Sequence, residues 1–314
     1  MKTAVLFPPL MAIKEKSFYD LYQQYPHVQR KFQEASDILS LDLVKHFFSD
    51  DESEINRGLV ARPSIVTLST ALFEMLRSEL GEISYYLGPS LGQMTAIHCS
   101  GSLDFRTTIQ MVKSMVELEE QDEANKGYSV YFFYNIDVEK LELAMQEVRQ
   151  QGGYLEPCMY ANHNQMIING DVKSLEKLNQ LVVPQGGLGV TIPFGPPGHC
   201  SLLQNVVDRF HEQFMPKAIF RDPDHPLVSN VDGNLLLTKE EVMNEIVGQY
   251  TRSVQWYRCL QRLWSDGVRR LVVLGPGNFI TKSLQFTDIP FEVETYLTAE
   301  EINNKLNSVI KEEV

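Results

Sequence analysis

Two residues, Ser90 and His199, carry the chemical potential of this chain. Ser90 is the centre of Gly88-Pro89-Ser90-Leu91-Gly92, a G-x-S-x-G pattern. The preceding Ile83 to Leu87 is rich in β-branched and aromatic residues, as a strand requires. The following Met94 to Ile97 is small and apolar at helical spacing. A serine on a sharp strand-to-helix turn presents its hydroxyl at the tip. Gly88 and Gly92 flank that turn, where a side chain would collide with the neighbouring strand or helix. The helix start behind Ser90 offers unpaired N–H groups and a positive dipole end to a developing oxyanion. The bland alternative is a tight βα turn with an idle serine. His199 closes Phe194-Gly195-Pro196-Pro197-Gly198-His199-Cys200, an irregular loop forced by glycine and proline. A histidine there can reach a neighbouring loop and serve as the base of an elbow serine. Taken alone, it reads more readily as a helix-capping or surface histidine.

The elements that must position these residues follow from the rest of the chain. Its 314 residues suffice for one large domain, or a large one carrying a small insert. No apolar run reaches about 18 residues, so no membrane span is expected. The start, Met1 to Pro9, has too short an apolar core for a secretion signal and reads as a first strand stopped by two prolines. Cys99, Cys158, Cys200 and Cys259 are scattered, with neither metal-ligand spacing nor disulfide density, which points to the reducing cytoplasm. A net charge of −13 repels nucleic acid and gives no attraction to anionic membranes. There is no P-loop and no H-E-x-x-H. Gly187-Leu188-Gly189 is too short for a dinucleotide fingerprint and precedes a strand. Neither metal nor cofactor is called for. Trp256 and Trp264 read as core or interface residues.

After the first strand, Lys14 to Ser40 reads as helical, and Leu41 to Phe48 as another short helix. The acidic run Asp50 to Glu54 is a solvated loop or a helix start. Pro63 to Leu80 is a strongly apolar helix, with Pro63 suited to its first turn. The elbow follows, then a helix over Asp104 to Glu120. The character then changes. Tyr128 to Ile136 is a strand, Asp137 to Gln150 a helix, Leu155 to Tyr160 and Gln165 to Ile168 strands, Val172 to Leu181 a helix and Gly189 to Phe194 a strand. That β-α-β-β-α-β order is the ferredoxin-like motif. It defines a small subdomain at 127–194 inserted between 1–126 and 195–314. After it come helices over Ser201 to Phe214 and Val254 to Trp264, and a helix opened by the capping box Thr238-Lys239-Glu240-Glu241. Strands are expected at Leu227 to Val231 and Arg270 to Leu274, and a charged terminal helix at Ala299 to Glu313. Strands alternating with helices imply an α/β fold, its mostly parallel sheet flanked by helices on both faces.

The order of elbow serine, ferredoxin-like insert and proline-rich loop ending in His199-Cys200-Ser201-Leu202-Leu203 resembles the malonyl-CoA:acyl-carrier-protein transacylases. These include the acyltransferase domains of fatty-acid and polyketide synthases. Further segments carry the resemblance. Ala61-Arg62-Pro63-Ser64-Ile65 is similar to the family's Q-P-A-[IL] helix start. Leu227 to Gly233 is similar to its P-V-x-x-N-V-D/T-G strand, Gln249 to Trp256 to its Q-L-x-x-P-V-x-W segment, and Leu274-Gly275-Pro276-Gly277 to its E-x-G-P-G strand end. Asn162 stands where the family has its asparagine loop. The resemblance covers nearly the whole chain.

The resemblance implies a hydrolase-like sheet with a ferredoxin-like insert and an active site between them. Ser90 would be the nucleophile and His199 its base, oriented by a backbone carbonyl near Gln249 and not by an acid. The backbone N–H groups of Leu91 and Leu10 would form the oxyanion hole. Lys113, Asn162 and Gln249 would bind substrate. The implied reaction moves an acyl group from a CoA or carrier-protein thioester, through an acyl-serine, to the phosphopantetheine thiol of an acyl carrier protein. A cytoplasmic, monomeric enzyme acting in trans in polyketide or hybrid peptide biosynthesis is expected. Two alternatives stay open: an acyl hydrolase of the same fold that clears carrier proteins, and a degenerate protein that only docks them. The departures matter. The family's F-P-G-Q-G-S-Q is here Phe7-Pro8-Pro9-Leu10-Met11-Ala12-Ile13, and its G-H-S-x-G-E is Gly88 to Gln93. The arginine that grips a malonyl carboxylate falls at Lys113, a point charge in place of a planar fork. Lys113 either pairs with malonate weakly or is a helix-surface lysine.

Overall fold

The N-terminal strand β1, Lys2–Leu6, is exposed at Lys2 and buried from Thr3 to Leu6, with apolar Ala4, Val5 and Leu6 facing both sides, as a central strand covered on both faces must be. In the computed structural model, which describes residues 1–124, 126–193 and 195–312, it pairs in parallel with β2, Tyr85–Leu87, and with β9, Val268–Leu274. The sheet extends to β10, Glu292–Tyr296, beside β9, and to β7, Leu227–Val228, beside β2. All of these pairings are parallel; only β8, Leu235–Leu236, runs antiparallel, at the edge. One face is covered by α2, Pro26–Leu39, α5, Gly58–Leu76, α6, Leu91–Cys99, α7, Phe105–Glu120, and α10, Gln204–Gln213. The other is covered by α12, Trp256–Ser265, and α13, Phe279–Gln285.

A second, four-stranded sheet is formed by β3, Tyr128–Tyr134, β4, Leu155–Asn162, β5, Gln165–Asp171, and β6, Leu188–Thr191. Its order β4-β5-β3-β6 is antiparallel throughout. The helices α8, Val138–Gln150, and α9, Val172–Val182, pack on one face around Phe133, Met145, Ile168 and Leu178. This is the ferredoxin-like strand order expected of β-α-β-β-α-β. Phe194, expected at the end of its last strand, and Glu313, expected at the end of the final helix, lie outside the described residues. The small sheet is stitched to the segment leading into α12, where Tyr160 N–H donates to Val254 O at 2.8 Å and Val254 N–H to Cys158 O at 2.9 Å.

Some elements differ from expectation. The helix expected from Lys14 to Ser40 is two, α1, Tyr19–Gln24, and α2, because Pro26 opens the second and Tyr25 is extended before it. Pro63 lies inside α5, not in its first turn: the helix begins at Gly58, and its apolar interior is held by packing on the sheet. That helix is the only one among the described residues long and apolar enough to span a bilayer, but 78% of the stretch is buried within the fold, which marks it as a core helix. The capping box at Thr238 opens α11, Lys239–Gly248.

Candidate active site

The elbow is tight because backbone meets backbone there. A Cβ on Gly88 would lie 2.2 Å from the Gly92 carbonyl carbon, and one on Gly92 would lie 2.1 Å from Phe7 O. Ser90, between them, has φ +56° and ψ −116°, a conformation that costs an L-residue roughly 1–3 kcal/mol. Asn230 holds it there. Its Oδ1 accepts from Ser90 N–H at 2.8 Å, and its Nδ2 donates to Gly88 O at 2.8 Å. Asn230 is itself fixed by Glu245, which accepts from Asn230 N–H at 2.6 Å, from Ser229 Oγ at 2.6 Å and from Gln93 Nε2 at 3.3 Å. Burial raises the Glu245 carboxyl from its ordinary 4.5 to about 7, despite the hydrogen bonds from Ser229 and Asn230 that favour its charge.

His199 also has positive φ, +56°. Its Nε2 lies 2.7 Å from Ser90 Oγ, and its Nδ1 lies 2.6 Å from the Gln249 carbonyl oxygen. A carbonyl can only accept, so Nδ1 carries the proton and Nε2 presents its lone pair to the serine O–H. This is the tautomer a base needs. Burial pushes the imidazole below its ordinary 6.5, opposed by the bond to Gln249, so the ring is neutral near pH 7. The loop is pinned from the small sheet on both sides. The Asn169 amide donates to Gly198 O at 2.8 Å and accepts from Gly198 N–H at 3.3 Å. Glu156 accepts from Ser201 N–H at 3.0 Å and from its hydroxyl at 2.7 Å.

The serine and histidine open onto a cleft of about 250 Å³ between the two sheets. Its walls are mostly apolar, with Met94 and Met115 from the large part and Val130, Met159 and Ile167 from the small sheet.

No protein-family model matches the chain. Malonyl CoA-acyl carrier protein transacylases do. That of Bacillus subtilis (strain 168) is 24% identical over 282 residues, 89% of this chain and 88% of that protein. That of Escherichia coli (strain K12) is 25% identical over 264 residues, 83% of this chain and 85% of that protein. The fold superposes on FabD from Acinetobacter baumannii with a TM-score of 0.89 at 25% identity, covering 98% of each chain. It superposes equally well on a malonyl-transacylase solved in complex with its type II PKS acyl-carrier protein, with a TM-score of 0.90 at 25% identity over 98% of this chain and 100% of that one. Over most of its length the chain is similar in sequence and fold to the malonyl-CoA:acyl-carrier-protein transacylases, at a divergent level of identity.

The remaining expected site residues divide. Leu10 and Leu91 both line the cleft, and neither backbone N–H donates to a protein acceptor among the described residues. Gln249 lines it too, and supplies the carbonyl that orients His199. Lys113 and Asn162 are not brought to the cleft. Lys113 is 38% exposed and faces Glu117 at 3.8 Å. At 100° per residue it sits far around α7 from Met115, the residue of that stretch which does line the cleft. Asn162 is buried in the β4–β5 turn, donating to Gln165 Oε1 and accepting from Asn164 N–H. It shapes that turn.

Arg62, quoted only as part of a helix start, turns out to reach the cleft. Its Nη2 lies 2.6 Å from Glu119 Oε2, with the side chains 16% and 12% exposed. Tyr250 also lines the cleft, buried, its hydroxyl without a partner among the described residues. Asn230 stood inside the Leu227–Gly233 segment already singled out. Asn169 and Glu245 had no local signal, since their partners lie 15 to 152 residues away.

Proposed function

We propose that this chain is a serine acyltransferase that loads acyl carrier proteins. The observation that carries the reading is the relay Ser90 Oγ–His199 Nε2, with Nδ1 held by the Gln249 carbonyl. Ser90 Oγ attacks a thioester carbonyl while His199 Nε2 takes its proton. The N–H groups of Leu91 and Leu10 stabilise the tetrahedral oxyanion. The C–S bond breaks, and His199 returns the proton to the departing thiol. A phosphopantetheine thiol then attacks the acyl-Ser90 ester, giving its proton to His199. Collapse breaks the Ser90 ester while His199 returns that proton to Ser90 Oγ, leaving the acyl group on the carrier.

The relatives' names and the neighbour solved with a carrier protein support a CoA thioester as donor and a carrier protein as acceptor. That type II PKS neighbour also supports a role in polyketide assembly, acting in trans on a carrier protein. We take 127–194 as the small subdomain and 1–126 with 195–314 as the large one, the acyl group lying between them. The four unpaired cysteines accord with a reducing cytoplasm.

The test incubates the protein with acyl-CoA and holo-carrier protein and scores acylated carrier and free acid separately. Acylated carrier as the main product supports the transferase. Free acid as the main product would make the chain a hydrolase. Neither product would leave only the docking alternative.

A further inference from the structure

The catalytic cleft meets a second cavity, of about 280 Å³, behind the loop of Leu10 and Met11. Arg62 and Glu119 line both, together with Leu10, Gly195 and Pro196. Residues that face two cavities are the partition between them. Arg62 comes from α5 and Glu119 from α7, so the ion pair ties two core helices across that partition.

The charge of this wall is already spent. Among the described residues lining the catalytic cleft, Arg62 is the only lysine or arginine and Glu119 the only acidic residue. An acyl group ending in a carboxylate must shed its water to enter. It would meet a guanidinium already holding a carboxylate, and a second negative charge would face Glu119. An uncharged acyl group meets no such penalty, and the methionine and β-branched walls suit it. The orphan hydroxyl of Tyr250 adds a hydrogen-bond donor at the same end without adding charge. Burial, reinforced by Glu119, holds that phenol well above its ordinary value, so it stays protonated.

We infer that the Arg62–Glu119 pair is the specificity-determining wall of the acyl site, and that it selects short, uncharged acyl groups over dicarboxylic ones. The inference rests on acylation of Ser90 as proposed above. The pair excludes carboxylates by being internally neutralised, and limits chain length by closing off the second cavity.

The experiment measures kcat/KM for acylation of Ser90 by malonyl-, acetyl-, butyryl- and octanoyl-CoA. It compares the wild type with Glu119→Gln and with Arg62→Ala/Glu119→Ala. The wild type is expected to favour acetyl or butyryl over malonyl by about 10-fold or more. Glu119→Gln leaves Arg62 without its counter-charge and should raise malonyl relative to acetyl by about 10-fold. The double variant removes both charges, so no lone ion is left buried, and it opens the wall. It should raise octanoyl relative to butyryl while malonyl stays poor. A wild-type preference for malonyl would overturn the inference, as would unchanged ratios in both variants. If Glu119→Gln does not fold, the wild-type ratio and the double variant still decide. Absence of acylation by every thioester would instead remove the acyltransferase reading on which the inference stands.

Discussion

Asn169→Ala removes the amide that grips both backbone groups of Gly198, one residue before His199. Asn169 is fully buried, and its bonds to Gly198 are 2.8 and 3.3 Å long. Each such bond contributes about 1 kcal/mol net, and leaving partly buried peptide groups unpaired adds to the cost, so about 2–3 kcal/mol is at stake. His199 sits at φ +56°, a conformation its own backbone does not favour, so a released loop will relax away from it. Because about 1.4 kcal/mol is a decade in rate, the acylation rate should fall by about 30- to 150-fold if the whole loss falls on the placement of Nε2. The assay is rapid-quench acylation of Ser90 by an acyl-CoA, with thermal melting alongside. The fall should appear in the maximal rate more than in KM, since Asn169 does not line the cleft. A variant that acylates at the wild-type rate would refute the idea that the small sheet positions the base.

Other outcomes follow from the same geometry. His199→Ala should slow acylation by ~10²–10⁴-fold, read in the same quench assay. The acid limb of the wild-type kcat/KM profile should lie below pH 6.5, because burial lowers the imidazole and the neutral ring is the base. Glu245 has a folded pKa of about 7 against an ordinary 4.5, so the native state holds its proton where the unfolded chain does not. Its contribution to stability is present below about pH 4.5 and is lost as pH rises through 7, by roughly 3 kcal/mol. Melting temperatures measured from pH 4.5 to 8 should show this decline in wild type and not in Glu245→Gln. Gly92→Ala would drive a methyl against Phe7 O, so it should lower the melting temperature sharply and abolish acylation; a wild-type melt would show that the elbow can yield.

What could be read from the chain were features encoded by neighbouring residues. The elbow announced itself because two glycines, a strand and a helix all fall within fifteen residues. The ferredoxin-like order was legible because each element there is short, periodic and separated by turns. The Gln249 carbonyl came from the resemblance, since a backbone group leaves no mark in side-chain pattern. The misplacements have local physical causes. Lys113 and Met115 are two residues apart, which on a helix is more than half a turn, so the neighbour of a lysine held the cleft and the lysine took solvent. Pro63 suited a first turn, but α5 begins five residues earlier and packing overrides the missing N–H. The edge strand β10, Glu292-Val293-Glu294-Thr295-Tyr296, has only one wholly buried position and so carries no strong strand pattern, and α13 is only seven residues long. The Arg62–Glu119 pair joins residues 57 apart, and only the packing of α5 on α7 brings them together.

The most direct test of the account is intact-protein mass spectrometry after brief incubation with an acyl-CoA. The wild-type chain should gain one acyl group, mapped by peptide fragmentation to Ser90, and Ser90→Ala should gain none. An adduct of equal extent on Ser90→Ala, or one mapped to another residue, would contradict the claim that Ser90 and His199 form a catalytic pair.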